Sequence, residues 1–256
     1  KEEIAKAIEI LKGSRPTERL LFNSLNYIER AKEANEVVEL CNKMERIIQQ
    51  SMKRIVEIGV DLLPEEGVVQ TICHSSTVVE MLIKGREKGK EIRVVVTETR
   101  PKFQGRKTAW ELYTNHVPVV LYVDSAMLYA MKKEKVDMII TGLDAIFSDG
   151  SIANKIGSGL LALVAEKMGV PYYAAGLGLK LDYYSRFAKS VEIEERDPRE
   201  SWEYPIEIRK PAFEIVEGKR IRGIITELGI LPPEIVANEV VKAYPNIFKS
   251  PRPSYL

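Results

Sequence analysis

The chain contains only two cysteines, Cys41 and Cys73, and only two histidines, His74 and His116. Two cysteines give no disulfide framework, and two isolated histidines leave no CxxC or HxxxH spacing to hold zinc. Net charge is almost missing too, since Lys+Arg 38 against Asp+Glu 37 leaves +1. No global field therefore draws the protein to nucleic acid or to a membrane, and any affinity for an anion must come from a local site. Long apolar runs are absent; Met138-Ile139-Ile140 is typical and far too short to span a bilayer. The chain opens on a charged amphipathic segment, not on the n-region and h-region of a secretory signal. Gly176-Leu177-Gly178 lacks the third glycine of a dinucleotide fingerprint, and no GK[ST] loop occurs. The expectation is a cytoplasmic protein with no metal, no organic cofactor, and neither a nucleic-acid nor a membrane partner.

What is present suits a globular α/β protein. At 256 residues and 45% hydrophobic content, the chain can form one large domain or two smaller ones. From residue 1 to about 63 the apolar period is helical. Ile4, Ala7, Ile8 and Leu11 form one stripe, and Gly13-Ser14-Arg15-Pro16-Thr17 breaks it and starts a second helix with Leu20, Leu21, Leu25 and Ile28 on one face. A third helix is expected over about 35–59, with Val38, Cys41, Met44, Ile47, Met52, Ile55 and Ile58 inward and Cys41 as a small core residue. The chain starts inside an apparent helix, so sequence upstream of Lys1 is expected.

After Pro64-Glu65-Glu66-Gly67 the period changes. Short apolar runs at 68–73, 92–97, 117–123, 136–141 and 171–175 read as strands, separated by helical stretches at 77–88, 106–113, 125–133 and 156–168. Repeated units of this kind build a mostly parallel sheet with helices on both faces. The expectation is an N-terminal helical subdomain (1–63) ahead of a Rossmann-like, doubly wound domain (64–256). Further strands are expected at 190–194 and 204–210, with a last helix at 233–243.

In a doubly wound sheet ordered 3-2-1-4-5, strands 1 and 4 are neighbours and their carboxyl ends flank the switch point where ligands bind. Cys73 ends strand 1 and Asp144 follows strand 4, so both fall in one crevice. Cys73 precedes a helix opening near Ser76 or Thr77, and Thr77-Val78-Val79-Glu80 has the spacing of a capping box. The positive end of that helix predicts a depressed thiol pKa, and Ser75, Ser76 and Thr77 offer a phosphate cradle. An inert buried cysteine and a turn-capping aspartate are the plain readings of the same two residues. Asn154 and Lys155 are expected at another helix start, where an amide and an ammonium would suit a second anion. His74 points away from Cys73 on the strand, which favours a structural histidine.

The residues also carry a resemblance. Ser14-Arg15-Pro16-Thr17, Cys73-His74-Ser75, Thr97-Glu98-Thr99-Arg100-Pro101 with Gln104-Gly105, Tyr122-Val123-Asp124-Ser125, Gly142-Leu143-Asp144, Asn154-Lys155-Ile156-Gly157, Glu195-Arg196-Asp197-Pro198, Pro211-Ala212-Phe213 and Ile224-Ile225-Thr226-Glu227-Leu228-Gly229 occur in this order. In this the chain resembles the archaeal ribose-1,5-bisphosphate isomerases. Their superfamily also holds methylthioribose-1-phosphate isomerase and the alpha, beta and delta subunits of translation initiation factor 2B. The resemblance implies an aldose–ketose isomerase of nucleotide breakdown acting on a phosphorylated sugar, with Cys73 as proton acceptor and Asp144 as proton donor. It also implies substrate and phosphate contacts at Arg15, Ser75, Ser76, Gln104, Asn154, Lys155 and Lys180, and a homo-oligomer, dimer-based or hexameric.

Residues 104–112 also look like methylthioribose-1-phosphate isomerase, the alternative within the same class. A regulatory protein contacting an initiation factor is the alternative of a different class, and retention of both Cys73 and Asp144 speaks against it. Two departures stand out: nothing matches the family's N-terminal Arg-Gly loop, and Gly176-Leu177-Gly178-Leu179-Lys180 replaces its acidic residue and Tyr-Lys.

Overall fold

The computed structural model describes residues 2–14, 18–183, 197, 199, 201 and 206–248. Three helices come first: α1 (Glu2–Ser14), α2 (Arg19–Ile28) and α3 (Ala34–Leu62). The second half of α3 buries Ser51, Ile55, Val56, Gly59 and Val60. Val38 and Cys41 are exposed, against expectation: no residue from 34 to 43 is buried, so neighbouring elements leave the start of α3 largely uncovered.

Alternating strands and helices follow: β1 (Glu66–Ile72), α4 (Ser76–Glu87), β2 (Glu91–Thr97), α5 (Gln104–Thr114), β3 (Val119–Tyr122), α6 (Met127–Glu134) and β4 (Met138–Gly142). A hairpin of β5 (Ala145–Phe147) and β6 (Ile152–Lys155) interrupts the alternation before α7 (Ser158–Met168) and β7 (Tyr172–Ala175). The remaining elements are β8 (Leu181–Asp182), β9 (Phe213–Val216), β10 (Gly223–Thr226), β11 (Gly229–Leu231), α8 (Pro233–Ala243) and α9 (Pro245–Phe248). The last long helix keeps its expected bounds. Residues 206–210 form no strand, and 190–194 lie outside the described residues.

The main sheet has seven strands in the order β11-β10-β7-β4-β1-β2-β3, all parallel except the β10–β11 pair. The five strands from β7 to the β3 edge (β3-β2-β1-β4-β7) have the doubly wound order expected from the sequence. Val94, Val95 and Val96 are all fully buried, as an unbroken apolar run must be when helices cover both faces of a parallel sheet. One hydrophobic cluster extends from Tyr27 and Met44 through Ile55, Val69 and Ile139 to Ile225 and Val240, so α2 and α3 share their core with the sheet. Among the described residues, no helix is long and apolar enough to cross a membrane.

A second, four-stranded sheet, β8-β5-β6-β9, sits beyond the end of β4. Sequence periodicity missed it because its strands are only two to four residues long. A signal existed nonetheless: Asp149-Gly150 between two short apolar runs is hairpin chemistry.

The start of α5 is pressed against the end of β2. A Cβ on Gly105 would lie 1.7 Å from the Thr97 carbonyl oxygen and 2.8 Å from its carbon. Gly105→Ala must therefore push α5 off the sheet. The expected loss is about 3 kcal/mol, read as a lower denaturation midpoint at unchanged slope.

Candidate active site

β1 ends at Ile72, and the next residue, Cys73, takes φ 64°, a left-handed conformation that non-glycine residues rarely adopt. The turn carries the chain into α4. Ser75, not Thr77, caps this helix, its hydroxyl accepting from the Val78 amide at 3.5 Å. Ser76 is exposed at the helix start, whereas Thr77 is buried beneath it. The cradle that the sequence offered thus keeps Ser75 and Ser76 at its surface and takes Thr77 into the core.

The carboxyl end of β4 meets this turn directly. A Cβ on Gly142 would lie 2.8 Å from the Ser75 Cβ, so only glycine lets the two strand ends approach this closely. Asp144 occupies the junction between β4 of the main sheet and β5 of the second. Its amide donates to the Ala153 carbonyl at 2.8 Å, and Lys180 Nζ donates to the Leu143 carbonyl at 2.8 Å. Lys180 therefore reaches the backbone next to Asp144.

Asn154 and Lys155 are the last residues of β6, not the first of a helix. The hairpin returns the chain alongside Asp144, whose amide pairs with Ala153, and Asn154 and Lys155 follow on opposite faces of the strand. Lys155 Nζ stands 4.5 Å from the centre of the Phe213 ring. Buried Asn154 donates to Ser158 Oγ at 2.9 Å, within a polar cluster that includes Tyr172 and Thr141, whose hydroxyls are 2.8 Å apart. Burial pushes the Tyr172 phenol up to about 12. The start of α7 is already occupied, because the Gly157 amide donates to the Glu214 carboxylate.

The electrostatics of Cys73 join these pieces. Burial, the largest influence, pushes its thiol above the ordinary cysteine value. The His74 amide, hydrogen-bonded to the sulfur, and the Lys155 ammonium act against it; Asp144 and Asp124 act with it. The depressed thiol expected from the helix dipole is thus overturned: water exclusion outweighs one amide and one ammonium. Asp144 and Lys155 nevertheless each sit within electrostatic reach of Cys73. His74 turns away as expected, with Nδ1 3.1 Å from Thr108 Oγ1 and burial lowering its pKa.

Gln104 opens α5 on the same side of the sheet, at the carboxyl end of β2. Arg15 lies outside the described residues. Sequence reasoning missed Glu214, which fills the α7 start, and Asp124 and Thr99, whose part depends on three separate elements.

A doubly wound α/β protein with a thiol, a carboxylate and an ammonium converging at its switch point is a defined class, and comparison with known proteins sharpens it. The chain belongs to the Initiation factor 2 subunit family, whose profile matches residues 1–233. Ribose 1,5-bisphosphate isomerase of Archaeoglobus fulgidus is 34% identical over 245 residues, covering 91% of this chain and 78% of that protein. Methylthioribose-1-phosphate isomerase of Acetivibrio thermocellus is 32% identical over 94% of this chain and 78% of its own length. The crystal structure of translation initiation factor eIF-2B from Pyrococcus horikoshii OT3 superposes with a TM-score of 0.85 at 28% identity, covering 91% of this chain and 82% of that one.

A raised thiol pKa has a signed consequence. Above the ordinary cysteine value, the unfolded chain ionises this thiol while the folded protein keeps it protonated. The contribution of Cys73 to stability therefore falls as pH rises through that range. Alkylation of Cys73 in a Cys41→Ala background should reach half its maximal rate at a higher pH than for a simple thiol. Lys155→Met should move that midpoint higher still, as a pH series of iodoacetamide labelling would measure.

Proposed function

We propose that this chain is an aldose-1-phosphate to ketose-1-phosphate isomerase, converting ribose 1,5-bisphosphate to ribulose 1,5-bisphosphate. The observation that carries the reading is the approach of Cys73 and Asp144 at the ends of adjacent strands, beside Lys155 and the Ser75–Ser76 end of α4. The 34% identity to a protein named for that reaction points the same way.

A sugar phosphorylated on its anomeric oxygen cannot open to a free aldehyde, so the ring has to be opened by acid. Asp144 gives its proton to the ring oxygen as the C1–ring-oxygen bond breaks. Cys73, as thiolate, takes the proton from C2, and the C–H electron pair becomes the C1=C2 bond of an enol. Collapse of the enol moves the C2 hydroxyl proton to the Asp144 carboxylate and the Cys73 proton to C1. The ketone forms at C2, the phosphate stays on C1, and both groups return to their starting state.

Lys155, Lys180, Asn154, Gln104 and the Ser75–Ser76 helix start supply the charge and donors for the substrate's phosphates and hydroxyls. Arg15 completes the phosphate contacts by family position. A protein of net charge +1 needs such local anion sites to bind a bisphosphate. The same reading carries a homo-oligomer, dimer-based or hexameric, supported by exposed Leu228, Ile230 and Ile235 beside the edge strand β11.

Methylthioribose 1-phosphate is the competing substrate, on the 32% identity to its isomerase. Purified protein should turn over the bisphosphate at least about tenfold faster than the monophosphate, measured as ketose formed. Cys73→Ser and Asp144→Asn should each lower kcat by about 10³-fold, the scale of a lost proton-transfer group. Equal turnover of both sugars removes the substrate assignment, and full activity in either variant removes the mechanism. Because burial raises the thiol, kcat/KM should rise with pH on the alkaline side.

A further inference from the structure

Cys73 can serve as a base only if its sulfur is aimed, and the backbone that aims it is in an uncommon conformation. A left-handed residue other than glycine costs roughly 1–2 kcal/mol, so neighbouring interactions must impose it. Both peptide groups of Cys73 are tied. Its amide donates to Thr99 Oγ1 at 2.9 Å, and its carbonyl accepts from Thr108 Oγ1 at 2.7 Å. The first bond fixes the peptide before Cys73 and the second the peptide after it.

The second bond has a particular effect. The Cys73 carbonyl and the His74 amide belong to one planar peptide unit. By holding the carbonyl, Thr108 also sets the direction of the His74 N–H that meets the sulfur. Thr108 has one hydroxyl proton and gives it to that carbonyl, so towards His74 Nδ1 it acts as acceptor and the proton sits on Nδ1.

Thr99 is itself constrained. It takes φ 60°, an outlier for a β-branched residue. The Asp124 carboxylate holds it there: Oδ1 accepts from the Thr99 amide and Oδ2 from the Arg100 amide, both at 2.7 Å. The Thr99 hydroxyl donates to the Thr97 carbonyl at 3.2 Å, which leaves its lone pairs to the Cys73 amide. Thr99 and Thr108 are both buried, so water cannot replace either hydroxyl. The chain of contacts starts beyond β3 at Asp124, passes through the β2–α5 loop at Thr99, and closes from α5 at Thr108.

We propose that Thr99, clamped by Asp124, and Thr108 are positioning residues that impose the left-handed turn at Cys73 and thereby aim its sulfur at the substrate. The proposal rests on Cys73 being the proton-abstracting base. No residue of this set touches substrate; each acts through the Cys73 backbone.

The test uses the full chain carrying Cys41→Ala, which removes the exposed thiol. Thr99→Val and Thr108→Val delete the hydroxyls at nearly constant volume, and Thr99→Ser keeps one. Lys155 from β6, Asp144 from the β4–β5 junction and Asp124 from beyond β3 face the sulfur and stay in every variant. Thr108→Val also frees His74, which lies beside Glu111 and Lys107, whereas the Thr99 variants leave that imidazole alone.

Both valine variants should lower kcat by about 10- to 100-fold, the effect of one lost buried hydrogen bond, with KM within about twofold. Both should also shift the pH profile of Cys73 alkylation upward, because the His74 amide no longer meets the thiolate. Thr99→Ser should restore kcat and the profile together. Wild-type alkylation profiles in both valine variants would overturn the proposal, as would a serine variant as impaired as the valine one. Alkylation needs no sugar phosphate, so it separates the two ideas. Wild-type protein inert towards both sugars would remove the isomerase reading, while the shifted profile would still establish the positioning.

Discussion

Where β1 pairs with β4, placing Val69 opposite Met138 and Gln70 opposite Ile139, the sheet stops growing on one side and begins on the other. Strands β2 and β3 were laid down outward from β1; β4 returns across the whole half-sheet to the vacant edge of β1. Loops after these two strands must leave in opposite directions, and a cleft opens between them. Cys73 and Ser75 sit at the end of β1, Gly142 and Asp144 at the end of β4, and Lys155 returns on the hairpin that β4 leads into. Register fixes the level of the two strand ends, and the Gly142–Ser75 contact fixes their separation. A bulkier residue at position 142 would part the thiol and the carboxylate without altering either.

Helix α2 of the N-terminal layer reaches the segment that carries Lys180. Asn23 on α2 donates to the carbonyls of Leu179 and Leu181 at 2.7 and 2.9 Å, and Arg19 pairs with buried Asp182 at 2.9 Å. These contacts hold the short segment that carries Lys180, whose ammonium meets the Leu143 carbonyl. From the opposite flank, the Gly178 amide donates to Glu227, and Glu227 accepts from Tyr244 at 2.7 Å. The segment is thus suspended between α2 and the C-terminal elements. A partly buried ion pair such as Arg19–Asp182 contributes little net stability but defines a geometry. The helices therefore do more than cover one face of the sheet.

The parts of the fold legible in the sequence are those with period and length. The five core strands were visible because each is an apolar run bounded by a helical stretch, and parallel strands buried on both faces must be apolar throughout. Cys73 and Asp144 were legible for the same reason, since strand ends follow from strands. The hairpin that presents Lys155 was not, because β5 and β6 are too short to show alternation. That error moved Asn154 and Lys155 onto a helix start that Glu214 in fact occupies. The exposure of Cys41 could not be read either: helical spacing identifies a stripe but not how far along the helix its neighbours reach. Thr99, Thr108 and Asp124 left no local trace, as their relation exists only once three elements have been brought together.

The raised thiol also bears on which chemistry Cys73 is suited to. A covalent cysteine nucleophile works best as a thiolate stable at neutral pH, secured by an imidazolium or a helix start. Here the imidazole of His74 is engaged by Thr108, its pKa is lowered by burial, and the first turn of α4 is capped by Ser75. What remains near the sulfur is one amide and one lysine, which do not offset its desolvation. A general base gains from the opposite arrangement. The less acidic the thiol, the stronger the pull of its thiolate on a carbon-bound proton, provided the thiolate can still form. In the proposed reaction, Lys155 would keep that ionisation within reach, and the left-handed turn would direct the single amide at the sulfur. In the proposed reaction, burial, which would handicap a nucleophile, would supply the basicity that proton abstraction from carbon requires.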